Sequence, residues 1–348
     1  MPGPAFRLFA AIALALSAAA PGLAQAPAAP AAEGDRWIHQ RSGASLPRSL
    51  GGQTITESRD LGNPYNSVAV YSGPGSAVES TTIYIFRAAI PDARLWFDRA
   101  LPSVARNIPL AIFEAGPAEQ FAAFAAPAPN GLYRIYTTSQ QGPFRSTAIA
   151  VAQAGEWIVK IRLSSATLDR AAMAARIVAL TDAIRFPAAT VRAALSAPIA
   201  DCARPAADGT GRPIALDEEV MALGLGGGLI LQQRARQPLG SNEAGWCRDP
   251  AVAAEAGTLL RHGEGHWWIA LIGDAGIAIS ALAGPAVGLP EDRHAIVYAI
   301  SPAFLRGTAA FDAMPSTIAA LQAGAPTLAG RSEGLFEIQI GPGSEPQR

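Results

Sequence analysis

Lysine is almost missing from this chain. Of 27 basic residues, Lys160 is the only lysine and the others are arginine. Chemistry that needs an amine nucleophile is therefore restricted to Lys160 or a free N-terminus. Charge is scarce as well: 16% of residues are charged and the net charge is −1. Such a balance leaves no electrostatic footprint for a nucleic acid or an anionic membrane, so no nucleic-acid partner is expected. Cysteine is limited to Cys202 and Cys247. Neither lies near the N-terminus, so a lipid anchor on a cysteine after a leader is not expected.

The familiar catalytic signatures are missing too. No G-x-S-x-G elbow occurs, and Ser76, in Gly73-Pro74-Gly75-Ser76-Ala77, reads as part of a turn. A Ser-x-x-Lys pair fails because Trp157 stands three before Lys160. Gly224-Leu225-Gly226-Gly227-Gly228 puts Leu229 where G-x-G-x-x-G needs its third glycine, and no Gly-Lys-Ser/Thr follows. That run reads as a flexible hairpin or a close backbone approach. No cofactor is expected.

What the chain does have begins at its start. Arg7 supplies a positive region, Leu8 to Ala20 an apolar run too short to span a bilayer, and Pro21-Gly22-Leu23-Ala24 a small-residue exit. Residues 1–24 therefore read as a cleaved secretory signal peptide. Cleavage after Ala24 is preferred to cleavage after Ala26, which would leave Pro27 just beyond the cut. The expected location is periplasmic or secreted, and two cysteines in such a compartment predict a Cys202–Cys247 disulfide. Trp267 to Leu289 is mostly apolar, but Asp274, its glycines and Pro285 fit turns better than a span. No membrane span is expected in the mature chain.

Residues 25–35 read as a disordered Pro/Ala linker. A first α+β domain is expected over 36–187. Its strands are Val68 to Ser72, Thr81 to Ala88, Leu132 to Thr138, Arg145 to Gln153 and Glu156 to Ser164. Thr81 to Ala88 is apolar on both faces, which predicts an inner strand covered on both sides. Pro91 opens a helix that Pro102 ends or breaks, and Gly116 to Asn130 reads as a loop. Thr167 caps a second helix, whose stripe is Met173, Ile177, Leu180 and Ile184.

Residues 188–213 read as a linker containing Cys202. A second α+β domain follows over 214–341, with a frayed tail at 342–348. Ile269 to Ile272 and Ile277 to Leu282 flank a turn, and Ala295 to Ile300 is a further strand. Phe311, Met314, Ile318 and Leu321 form a helical stripe interrupted by Pro315, and Phe336, Ile338 and Ile340 alternate as a last strand. Each domain is thus a mainly antiparallel sheet with packed helices. A faint echo between Gly155-Glu156-Trp157-Ile158-Val159 and Gly265-His266-Trp267-Trp268-Ile269 raises the question of duplication. The element order of the first domain resembles PsbP-like or Mog1-like α/β/α folds, over about 120 residues and without a motif match.

Two clusters are candidates for chemistry. His262-Gly263-Glu264-Gly265-His266 would bring two imidazoles face to face if Gly263 to Gly265 form a hairpin loop, with Glu264 above. Its plain reading is a polar hairpin tip. Arg134, Lys160 and Arg162, with Arg145 as a neighbour, form a basic patch that could hold a carboxylate or phosphate. Its plain reading is a solvated sheet face. Trp157, Trp267 and Trp268 read as core.

The expected function is a soluble exported binding or envelope-interaction protein without catalysis. Its partner would be an unknown envelope protein or a small ligand. The alternative is an exported metal-dependent hydrolase using His262, Glu264 and His266, and a third class is an assembly factor.

Overall fold

The computed structural model describes residues 32–33, 35–73, 79–107, 113–140, 142–190, 193–204, 209–215, 217–234, 246–250, 252, 257–262, 265–287 and 294–339. The expected leader, Ser76, Glu264, Ile340 and the expected frayed tail lie outside the described residues. The chain falls into two compact units that divide between Ala197 and Pro198. In both, the sheets are mainly antiparallel and helices pack on them, an α+β build.

The first unit begins with a small sheet of β1 (Ala32–Glu33), β2 (Arg36–Ile38) and β3 (Ser45–Pro47). The main sheet contains β4 (Ser49–Leu50), β5 (Gln53–Asn63), β6 (Asn66–Ser72), β7 (Glu79–Arg87), β8 (Glu114–Phe121), β9 (Gly131–Thr137), β10 (Ser146–Ala154) and β11 (Trp157–Ser165). Its order is β4-β5-β6-β7-β11-β10-β9-β8. Two meanders are thus joined where β11 returns beside β7, with Ile83 opposite Ile161.

Both faces of this sheet are covered, because successive side chains of a strand point to opposite sides. On one face Ile83, Ile85, Val159, Ile161 and Leu163 meet Met173, Ile177 and Leu180 of helix α2 (Arg170–Ala183). Burying each of these side chains stabilises by roughly 1.5–3 kcal/mol. On the other face lies helix α1 (Ala93–Asn107), over β9 and β10. Its Trp96 meets Phe86 edge to face at 5.8 Å and donates its indole N–H to the Ile90 carbonyl at 2.6 Å. The inner position expected for Thr81 to Ala88 is found in β7.

Several local expectations are corrected. Pro102 does not end α1, which runs on to Asn107. The cap of α2 is Asp169 rather than Thr167: its carboxylate accepts from the Ala172 N–H, whereas the Thr167 N–H is taken by Ser165. Gly116 to Asn130 is not all loop, since β8 occupies its first part. Gly116 and Pro117 are tolerated there because β8 is an edge strand with a bulge between Ala115 and Ala118. The β10–β11 loop is Gly155-Glu156, with Ala154 paired to Trp157.

The second unit comprises β12 (Pro213–Ile214), helix α3 (Glu218–Arg234), β13 (Trp246–Arg248), β14 (Thr258–His262), β15 (Trp267–Ile272), β16 (Ile277–Ala283), β17 (Ala295–Ile300), β18 (Phe304–Phe311), helix α4 (Thr317–Leu328) and β19 (Phe336–Gln339). The sheet order is β12-β18-β17-β16-β15-β14-β13, with β19 also on β18. One face packs Trp268, Ala270, Ile279, Ala281 and Val297 against Ala320 and Leu321 of α4. Contrary to the predicted stripe, Phe311 and Met314 are not helical: Phe311 ends β18, and Ser316 caps α4 by accepting from the Ala319 N–H. The strand orders of the two main sheets differ, so the sequence echo does not mark a repeated unit.

The glycine run lies inside α3, not in a hairpin. A Cβ at Gly224 would stand 2.7 Å from the Phe336 ring, at Gly227 2.4 Å from the Tyr298 hydroxyl, and at Gly228 2.0 Å from Ile338. The close backbone approach is therefore real. Each helical glycine costs about 1 kcal/mol in propensity, and what it permits is contact with the sheet. Tyr298 donates to the Gly224 carbonyl at 2.6 Å. Burial holds its phenol above the ordinary range.

Candidate functional site

The histidine cluster is not arranged as its spacing suggested. His262 is paired across the β14–β15 hairpin with Trp267, so His266 falls in the turn and the two imidazoles do not face each other. The extra loop residue is what shifts the register. The His262 ring instead meets Trp246 at 5.0 Å and Trp267 at 5.7 Å, and those two indoles meet at 4.9 Å. Trp267 donates to Ser280 at 3.1 Å. Among the described residues no group of three His, Cys, Asp or Glu is placed to hold a metal. Glu264 lies outside them.

This aromatic corner adjoins the disulfide. Cys202 and Cys247 are bonded. The Cys202 N–H donates to the Arg248 carbonyl and the Arg248 N–H to the Ala200 carbonyl, each at 2.8 Å. Arg261 pairs with the buried Asp249 at 3.0 Å and also reaches the Arg204 carbonyl. Residues 200–204 are thereby strapped along β13, the edge strand of this sheet.

Arg134, Lys160 and Arg162 do share a face of the first sheet. Arg134 and Arg162 both pair with Ile149, from opposite sides, and Lys160 is one pleat along. The face is not a solvated one, because α1 covers it and Lys160 is 3% exposed. Its ammonium lies 4.4 Å from the Tyr84 ring centroid, a cation–π contact. Arg162 donates to Ser103 of α1 at 2.7 Å. Arg134 is half-buried, and its Nε has no hydrogen-bond partner among the described residues. Arg145 stands exposed just before β10. Of these cations, Arg162 joins the helix to the sheet.

A different surface escaped the sequence reading. Helix α3 buries Val220, Leu223 and Leu231 but turns Leu225 and Leu229 outward, 47% and 61% exposed. They stand one helical turn apart. Ala222 is exposed beside them, and Gly226 faces open space. Asp217 caps the helix by accepting from the Val220 N–H at 2.8 Å. The signal was present in Val220 to Leu231, a run without a polar side chain. A helix apolar all round must be covered on more than one side.

No protein-family model, curated protein or solved structure matches the chain.

Proposed function

We propose that this chain is a non-catalytic binding protein of the cell envelope, exported through its leader, which docks an apolar segment of another envelope protein on the outer face of α3. The observation that carries the reading is the outward pair Leu225 and Leu229. Large apolar side chains grouped on one helix face mark interaction surfaces more often than isolated ones do. The Cys202–Cys247 bond supports an oxidising compartment, and no described helix is long and apolar enough to cross a membrane. The α/β/α layering of α1, the main sheet and α2 supports a kinship of the first unit with PsbP-like or Mog1-like folds.

A photo-crosslinking residue placed at 225 or 229 in intact cells tests the docking. A discrete adduct with one envelope protein is expected at these positions and not at Val178, an exposed apolar residue of α2. Equal labelling at 178, or none at 225 and 229, would reject the surface. Mass spectrometry of the exported protein should find Gln25 as its first residue, and a mature form retained with an intact leader would reject export.

A further inference from the structure

His39 follows β2 and is 2% exposed. Its Nδ1 lies 2.7 Å from the Ser42 hydroxyl and accepts the Ser42 backbone N–H at 3.2 Å. The Ser42 hydroxyl oxygen in turn accepts from the Ala44 N–H at 3.0 Å. The loop is closed further by the His39 N–H on the Ala44 carbonyl and the Gly43 N–H on the His39 carbonyl. Gly43 has φ +66, a conformation that suits glycine. The loop is therefore built around an imidazole whose Nδ1 is a bare acceptor. A second ring proton would sit on Nδ1, where the Ser42 hydroxyl at 2.7 Å can turn to accept it, but the buried Ser42 backbone N–H would then lose its acceptor.

This loop joins the hairpin of β2 and β3 to the body of its unit. Trp37, Ala44 and Leu46 enter the core. Ser45 exchanges backbone hydrogen bonds with Arg185 at 2.7 and 3.0 Å, and Arg36 donates to the Ala183 carbonyl at 2.7 Å. The His39 ring stands edge-on to Trp157 of β11 at 5.0 Å and 6.0 Å from Trp37. The charged groups around it come from several elements. Asp60 of β5 and the Pro64 carbonyl favour a proton on the ring. Arg41 of the same loop and Arg87 of β7 lie over Tyr65, which stacks on Trp157, and Glu156 pairs with Arg87. Arg36 and Arg185 repel each other where the hairpin docks.

We propose that His39 is a proton-operated latch, which holds the β2–β3 hairpin closed while neutral and releases it locally when protonated. Burial, the largest influence, holds the imidazole down to about 4. A freed hairpin would return it to about 6.5. The open form therefore binds the proton more tightly, so closure is complete above about pH 6.5 and weakens as pH falls towards 4. Between pH 7 and pH 5 the opening equilibrium rises about twentyfold. Opening would uncover Trp157 and its apolar surroundings to a partner.

Hydrogen exchange of the full chain, corrected for intrinsic rates, reads this directly. Protection of residues 36–47 should fall about twentyfold from pH 7 to pH 5, while β10 and β11 stay protected. His39→Asn keeps an acceptor near the Nδ1 position but cannot titrate, so its hairpin protection should not change with pH. Unchanged protection in the parent protein, loss spread evenly over the unit, or the same loss in His39→Asn would overturn the latch. Should His39→Asn fail to fold, an NMR titration of the parent decides. A His39 transition near 4 that moves the Ser42 amide supports the latch, and one near 6.5 removes it.

Discussion

Removing the Cys202–Cys247 bond should destabilise the second unit and leave the first unchanged. The bond spans a sequence separation of 45 residues. Loop-closure entropy for that length is about 13 cal/mol/K, or about 4 kcal/mol at 25 °C. The folded state should lose little, because the strap of residues 200–204 keeps its backbone bonds to Arg248 and its link to Arg261. The effect therefore lies mainly in the freedom regained by the unfolded chain. With a urea dependence of about 2 kcal/mol/M, the midpoint of the second unit should fall by about 2 M. Cys202→Ala with Cys247→Ala suits the test better than serine, since Cys202 is buried and a hydroxyl there would want a partner. Pulse proteolysis of the full chain across a urea series, with peptides followed from each unit, separates the two transitions. A shift below about 0.5 M in the second unit, or an equal shift in peptides from 36–197, would refute the reasoning.

Two glycines of α3 should respond in opposite directions: Gly226→Ala, facing open space, should raise thermal stability by about 1 kcal/mol. Gly227→Ala, whose Cβ would sit 2.4 Å from the Tyr298 hydroxyl, should cost about 2–3 kcal/mol. Ala125 holds φ 57 on an exposed loop, so Ala125→Gly should stabilise the first unit by about 1 kcal/mol in chemical denaturation. Asp249→Asn removes the charge opposite Arg261 in a buried setting. It should cost about 2–3 kcal/mol, and Asp249→Asn with Arg261→Met should recover most of that in a double-mutant cycle.

Where the apolar period was strong, the sequence read true. Trp157, Val159, Ile161 and Leu163 alternate into one core, and Met173, Ile177 and Leu180 form the helix stripe that meets them. The disulfide was legible because two cysteines behind a segment that reads as a leader have few alternatives. Composition misled where tertiary packing overruled it. Gly224, Gly227 and Gly228 sit in helix because only a residue without a side chain fits under Phe336, Tyr298 and Ile338. Gly116 and Pro117 form strand because an edge excuses the missing donor. The basic face could be placed on one side of a sheet by spacing alone, but not the helix that covers it. The His262 and His266 pairing turned on a single loop residue, and loop length is the least legible feature of a hairpin.

The seam between β7 and β11 has a consequence for how the chain reaches its folded state. Every other adjacent pair in that sheet joins strands consecutive in sequence, whereas Ile83 must find Ile161 across α1 and three strands. In the second unit β13 to β19 pair in order, and the distant partner is the short β12. Non-local pairing slows folding. The second unit is therefore expected to acquire its sheet first, and the first unit to linger as two unjoined meanders with open inner edges. That interval is when the chain is most exposed to proteases and to self-association. An escort that recognised the open edge of β7 or β11 would matter more to its yield than to the stability of the finished molecule.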